Sequence, residues 1–393
     1  MIERQVTPYL TKLLKKYPIV SVTGPRQSGK STLLTNVLKN YAYVSLENPD
    51  MRRFAIDDPR GFLERYNDKI IIDEVQYAPD LFSYIQTATD FTGKTGQYVL
   101  SGSQNFLLLK SIKQSLAGRV SIFRLLPFSY SELAKNHIDL STNKLMLQGG
   151  YPRIYDKNIP PQEFYENYLQ TYIDRDVDSL LSVKEISNFN KFLKLCATRI
   201  GQVLDVTSLA SDCGIDRKTA VSWLSVLESS YIVLQLMPYY ANIGKRLIKS
   251  PKLYFYDTGL ASYLLGIKSE KALQDDSMRG ALFENLVITE MMKNYLNQKT
   301  MPDLYFWRDS NKNEVDIIDD TDSELKMFEI KSGKTAKPEF QTTLREVANI
   351  LKVKNHHRAV VYDGQTLKSP KMSFVNWREL ASYTLCMFDT HSG

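Results

Sequence analysis

Short apolar runs alternate with helix-period stretches along the chain as far as about residue 127, after which the period changes. Residues 19–23, 43–46, 70–73, 98–101 and 121–125 read as strands, with helical or loop segments between them. Strands that are nearly all apolar have both faces buried, which predicts a parallel sheet covered on each side by helices. Past Pro127 helical spacing takes over. Gly149-Gly-Tyr-Pro-Arg153 reads as a turn. Residues 163–181 predict a helix with Phe164, Leu169, Tyr172, Ile173 and Val177 on its apolar positions.

Residues 205–228 read as helix, tight turn, helix. Thr207 is placed to cap the first helix, Gly214 to make the turn and Asp216 to cap the second. Leu209, Ile215, Val221, Leu224 and Leu227 are the expected buried positions, and residues 229–236 the strand that follows. The sheet-and-helix order restarts near residue 278. An amphipathic helix from Arg279 precedes expected strands at 304–308, 314–318, 327–331 and 358–362, with a helix at 340–352 before the last.

A chain of 393 residues exceeds one core and predicts two or three domains. Hydrophobic content of 43% and charged content of 24% are those of an ordinary globular protein. No apolar run approaches the ~20 residues that cross a bilayer, and Met1-Ile-Glu-Arg-Gln lacks the order of a signal peptide. Three scattered cysteines argue against a disulfide framework or zinc site. The expectation is a cytoplasmic protein with no membrane partner. His356-His357, among Lys352, Lys354 and Arg358, reads as a solvated basic patch. The net charge of +6 is a mild bias towards polyanions.

Chemistry enters at Gly24-Pro25-Arg26-Gln27-Ser28-Gly29-Lys30-Ser31-Thr32, a full G-x-x-x-x-G-K-S match between a strand and a helix. Strand, glycine-hinged loop and helix N-terminus form a cradle for phosphates. Lys30 is placed to reach the terminal phosphates and the Ser31 hydroxyl to ligate Mg²⁺. The third strand ends in Asp73-Glu74. There Asp73 can hold Mg²⁺, directly or through water, and Glu74 can polarise an attacking water. Ser103 or Gln104, after the fourth strand, is a candidate sensor of the γ-phosphate or, equally, a turn or N-cap residue. Arg119, following a helix expected at 106–116, is a candidate finger delivered to a neighbouring subunit or, equally, a surface charge. ATP and Mg²⁺ are the expected cofactors.

Val22-Thr-Gly-Pro-Arg-Gln-Ser-Gly-Lys30, Ile72-Asp-Glu-Val-Gln76, Leu100-Ser-Gly-Ser103 and Leu116-Ala-Gly-Arg119 resemble the AAA-type ATPases of the AAA+ superfamily. More narrowly they are similar to a bacterial and archaeal group that continues into a winged helix and a nuclease-like C-terminal domain. The resemblance spans nearly the whole chain, and its arginine finger before the fifth strand matches Arg119. It implies an α/β fold in four parts: an ATPase domain at 1–127, a helical lid at 128–200, a winged helix at 201–266 and a restriction-endonuclease-like domain at 267–393. In the lid, Arg153 or Arg175 is a candidate second phosphate sensor. In the winged helix, Arg217, Lys218 and Thr219, with Lys245 and Arg246 on the wing, either contact DNA or belong to a module that packs as a relay.

Glu329-x-Lys331 has strand spacing, so both side chains share a face. Asp316 on the preceding strand and Glu284 on the helix can join them. Carboxylates plus a lysine suit metal-assisted phosphodiester cleavage, and their order is similar to the restriction-endonuclease-like fold. A similar constellation can persist without activity. The expected function is Mg²⁺-dependent ATP binding and hydrolysis coupled to a task on DNA or RNA. The alternatives are a slow ATP switch governing a protein partner and an ATP-regulated metal-dependent nuclease.

Overall fold

The computed structural model describes residues 2–102, 116–172, 183–239, 250–309, 313–368 and 373–381, in two compact units. One comprises residues 1–128, 229–231 and 296–300, and the other residues 129–228, 232–295 and 301–393.

In the first unit β1 (Ile19–Thr23), β2 (Ala42–Ser45), β3 (Ile70–Asp73), β4 (Tyr98–Gly102) and β5 (Val120–Arg124) form a parallel sheet. Each strand lies within one residue of its expected run. The order is β2-β3-β4-β1-β5. Period-two alternation divides the core between the two faces. Ile19, Ile70, Ile72, Tyr98 and Leu100 pack with Ala55, Phe62, Leu81, Phe82 and Ile85 from the helices Pro49–Asp57, Pro59–Arg65 and Leu81–Thr92. Val20, Val22, Ile71, Val99 and Phe123 pack with Leu10, Leu14, Leu33 and Leu34 from the helices Thr7–Leu14 and Lys30–Val37. This is the α/β P-loop arrangement expected from the apolar runs.

The second unit begins with the helices Tyr130–Lys135, Thr142–Gln148, Pro152–Asp156, Pro161–Tyr172 and Val183–Ala197. A helix pair, Val206–Cys213 and Arg217–Ser229, turns at Gly214 with φ 77°. Then β6 (Val233–Pro238), β7 (Lys252–Phe255), β8 (Leu304–Arg308), β9 (Glu314–Asp319), β10 (Lys326–Lys331), β11 (Arg358–Tyr362), β12 (Leu367–Lys368) and β13 (Ser373–Asn376) build one mixed sheet. Its order is β12-β13-β11-β10-β9-β8-β6-β7. Residue 266 is therefore not a break in pairing, since β6 joins β8 through Met237↔Tyr305 and Pro238↔Phe306.

Several local expectations are corrected. Asp205, not Thr207, caps the first helix of the pair, accepting from the Thr207 and Ser208 amides at 2.9 and 3.1 Å. Val221 is exposed, and Ala220 and Trp223 take the buried face. Trp223 packs edge-on against Phe189 and Phe192. The strand expected from residue 229 starts at Val233, because Tyr231 turns the chain with φ 58°. His357 is buried and its Nε2 lies 2.9 Å from Glu324. The expected solvated patch thus contains a buried imidazole–carboxylate pair. Cys196 and Cys213 are free thiols. No helix among the described residues is long and apolar enough to cross a membrane.

Gly24 sets the exit of β1. Its φ is +150°, and a Cβ there would lie 2.1 Å from the Leu125 carbonyl oxygen. Both atoms are backbone-anchored, so relief requires the loop or the end of β5 to move. Gly24→Ala is expected to cost about 1–3 kcal/mol of stability, read as a lowered denaturant midpoint at unchanged slope. An unchanged midpoint would show that the loop has slack.

Candidate nucleotide-binding site

The phosphate loop leaves β1, an inner strand between β4 and β5, and β3 and β4 end on the same side of the sheet. Register aligns Val22 with Ser101 and Ser101 with Asp73. Strands spaced ~4.8 Å apart therefore bring the Asp73 carboxylate within reach of the helix that the loop starts. The Ser31 hydroxyl donates to Asp73 Oδ2 at 2.7 Å, the Tyr43 hydroxyl donates to the same oxygen at 2.6 Å, and Ser101 donates to Oδ1. Asp73 is 6% exposed. Burial and the Asp73 hydrogen bond push the Tyr43 phenol above its ordinary range.

The loop is shaped for close approach. Gly29 has φ 90° at the N-cap of the helix Lys30–Val37, and Gln27 has φ 59°. The Ser28 hydroxyl is fully buried without a hydrogen-bond partner. The Ser28 carbonyl accepts from Arg4, which also donates to the Leu126 carbonyl at 2.6 Å. Lys30, 6% exposed, donates to the carbonyls of Gly24 at 3.0 Å and Pro25 at 2.8 Å. Burial lowers its pKa from 10.5 to about 8, against the opposing pull of Glu74 and Asp73. An ammonium this poorly solvated gains most from an incoming polyanion. Glycine hinges, a buried hydroxyl, a helix N-terminus and a desolvated lysine are a donor set that fits a triphosphate. Ser31 and Asp73 fit the hard, oxygen-preferring Mg²⁺ that would accompany it.

Glu74 has φ 53°, a left-handed conformation unusual outside glycine, asparagine and aspartate. Its carboxylate accepts from the Gln76 side-chain amide, and the Gln76 Oε1 is buried without a partner. Tyr43, Arg4 and Gln76 were missed in the sequence. For Gln76 the available signal was a polar residue in the turn after an apolar strand.

Arg119 lies at the opposite end of its strand. Val120 is in register with Ile19, so roughly 16 Å of strand, at ~3.3 Å per residue, separates Arg119 from the level of its own loop. It pairs with Asp90 at 2.9 Å and is partly exposed. Ser103, Gln104, Arg175, Lys245, Arg246, and the helix expected at 106–116 lie outside the described residues. In the second unit Arg153, Arg217 and Lys218 are exposed. The Thr219 hydroxyl is committed to Asp216 at 2.6 Å.

The second unit also assembles a cluster of acids. Glu284, Asp316, Glu329 and Lys331 come together, with Lys331 2.6 Å from Glu329 and Asp316 Oδ2 accepting from the Ile330 amide at 2.7 Å. Burial and the charges of Glu284 and Glu329 hold the Asp316 carboxyl well above the usual range. Burial likewise raises Glu329, against the pull of Lys331. Lys252, Tyr254 and Glu314 join the group and were not foreseen. Among the described residues no three Asp, Glu, His or Cys side chains are placed to share a metal ion.

The parallel sheet and the loop at its centre define an AAA-type P-loop NTPase domain. Residues 16–134 match a family described as an AAA domain. Residues 139–271 and 279–380 match two families described as domains of unknown function, DUF8612 and DUF4143. Uncharacterized protein Rv2008c of Mycobacterium tuberculosis is 30% identical over 367 residues, covering 92% of this chain and 80% of that protein. The chain belongs to the family of that protein. Uncharacterized protein MJ1544 of Methanocaldococcus jannaschii is 21% identical over 305 residues, covering 69% of this chain and 66% of that protein. Among solved structures, the Walker-type ATPase PABY2304 of Pyrococcus abyssi is similar at TM-score 0.45 and 15% identity, covering 67% of this chain and 96% of that one. The RuvB Holliday junction branch migration motor of Thermotoga maritima is similar at TM-score 0.30 and 18% identity, covering 58% and 88%.

The Lys30 shift has a sign that can be checked. The folded pKa lies below the unfolded one, so between about pH 8 and 10.5 the unfolded chain binds the extra proton. Nucleotide-free stability relative to Lys30→Met should therefore rise across that window, by no more than about 1.4 kcal/mol per pH unit. Paired denaturant titrations measure it; a flat difference would mean that Lys30 is not desolvated by the loop.

Proposed function

We propose that the chain is a Mg²⁺-dependent ATPase whose nucleotide cycle serves a task on nucleic acid. The observation that carries this reading is the Asp73 carboxylate, held between Ser31 of the loop and Ser101 of β4, with Glu74 beside it. Residues Gly24 to Thr32 wrap the phosphates, and Lys30 leaves the Gly24 and Pro25 carbonyls to bind them. Ser31 and Asp73 hold Mg²⁺, which when bound supplies charge neutralisation at the β- and γ-phosphates. Glu74 orients and deprotonates the attacking water. Ser103 senses the γ-phosphate. Arg119, too far from its own loop, serves the loop of a neighbouring copy in a homo-oligomer.

The helix pair ending at Ser229 fits the reading half of a winged helix, with Arg217 and Lys218 exposed at the start of its second helix. DNA or RNA bound this way is held mainly through phosphates, so log affinity should fall linearly with log salt.

A second reading, an ATP-regulated nuclease, draws on the convergence of Glu284, Asp316, Glu329 and Lys331 in the other unit. It needs a divalent metal among these acids, and the ammonium of Lys252 stands in that cluster. Nicking of labelled DNA with Mn²⁺, abolished by Asp316→Ala and by Lys331→Ala, would favour it.

For the first reading, Glu74→Gln should lower steady-state turnover by about 10²–10⁴-fold while retaining ATP binding, whereas Lys30→Ala should lose binding. Turnover that survives Glu74→Gln unchanged would remove Glu74 as the base. DNA or RNA should accelerate the wild-type rate. Unstimulated, very slow turnover would instead make the nucleotide a switch for a protein partner.

A further inference from the structure

Lys252 is the most deeply buried lysine of the acid cluster, and its surroundings are unusual for an ammonium. It opens β7, at the edge of the eight-stranded sheet, with β6 and β8 between it and β9 in the pairing order. Its side chain nevertheless reaches Glu314 and approaches Asp316 on β9. The Nζ lies 2.5 Å from Glu314 Oε1, 3.1 Å from Glu284 Oε1 and 4.0 Å from Asp316 Oδ1, and the side chain is 2% exposed. Tyr254, two residues on along β7, donates to the same Glu284 oxygen. The Phe306 ring lies 5.5 Å from the ammonium. The backbone is fixed as well, since Lys252 is bridged to Leu236 of β6 and to Val203.

We propose that the Glu284–Glu314–Asp316 cluster is a cation site whose resident cation is the chain's own Lys252 ammonium, and that a divalent metal enters only when this ammonium is removed. Two carboxylate oxygens at ion-pair distance are what a buried ammonium requires. Glu284 Oε1 and Glu314 Oε1, oxygens of the kind that surround Mg²⁺ or Mn²⁺ at about 2.0–2.6 Å, already lie at ion-pair distance from the ammonium. A second cation in the same space would meet the ammonium at contact distance in a poorly screened interior. Glu329 lies at the margin of this arrangement. One of its oxygens is paired with Lys331, while Oε2 is buried without a hydrogen-bond partner. Metal-assisted cleavage of a phosphodiester is therefore held off in the wild-type chain.

The experiment is Mn²⁺ binding to the full-length, nucleotide-free chain, followed by electron paramagnetic resonance and calorimetry. Every protein carries Asp73→Asn, so that the phosphate loop adds no carboxylate to the count. The chain with Lys252 intact should show no Mn²⁺ site that depends on Asp316. Lys252→Met should gain one Mn²⁺ per chain, lost again on adding Asp316→Asn. If Lys252→Met does not fold, as judged by circular dichroism, Lys252→Met with Glu314→Gln replaces it, leaving one fewer uncompensated charge. An Asp316-dependent Mn²⁺ site in the chain with Lys252 intact overturns the proposal. So does a folded Lys252 variant that binds no Mn²⁺. Neither result bears on ATP hydrolysis, because no nucleotide is present.

Discussion

Three hydroxyl groups converge on one carboxylate at the tip of β3, and the geometry of the nucleotide domain is organised around that convergence. Asp73 ties Ser31 of the phosphate-loop helix, Tyr43 of β2 and Ser101 of β4 to a single buried anion. A charge 6% exposed is tolerable in such a place only because each oxygen is hydrogen-bonded. Those bonds fix the spacing between the loop and the strand tips. The same carboxylate that orders the free site is the one best placed to coordinate a cation, so structural and chemical roles coincide there.

The two units place charge in the interior by opposite means. In the nucleotide domain a lysine is desolvated without a tight carboxylate partner, and its pKa falls to about 8. In the second unit a lysine more deeply buried is surrounded by acids and stays above the ordinary lysine range. Desolvation acts on both; the neighbouring charges decide the outcome. Lys30 is consequently ready to exchange backbone carbonyls for phosphates, whereas Lys252 is locked into a complete ion cluster.

Strain and orphaned polar atoms collect where the chemistry is expected. Glu74 sits in a left-handed conformation, and Gln76 spends its amide on the Glu74 carboxylate while its own oxygen lacks a partner. Ser28 buries an unpartnered hydroxyl inside the loop. Each costs free energy in isolation. Together they describe a loop and a carboxylate held in an arrangement that the free protein does not favour for its own stability.

The local sequence determined the five-stranded sheet to within a residue. An all-apolar run such as Ile70-Ile-Ile, set between helical stretches, predicts a strand covered on both faces in a parallel sheet. The phosphate loop and Asp73-Glu74 were legible for the same reason, because adjacency in the chain becomes adjacency at a strand tip. So were Glu329 and Lys331, whose common face follows from period two. Long-range placement was not legible. Tyr43 became a partner of Asp73 only through the pairing of β2 with β3. Lys252 reads from the sequence as part of a basic wing continuing from Lys245 and Arg246, whereas it is 2% exposed. Tertiary contacts with Glu284 and Glu314, more than thirty residues away in the chain, alone made it the cation of an acid cluster.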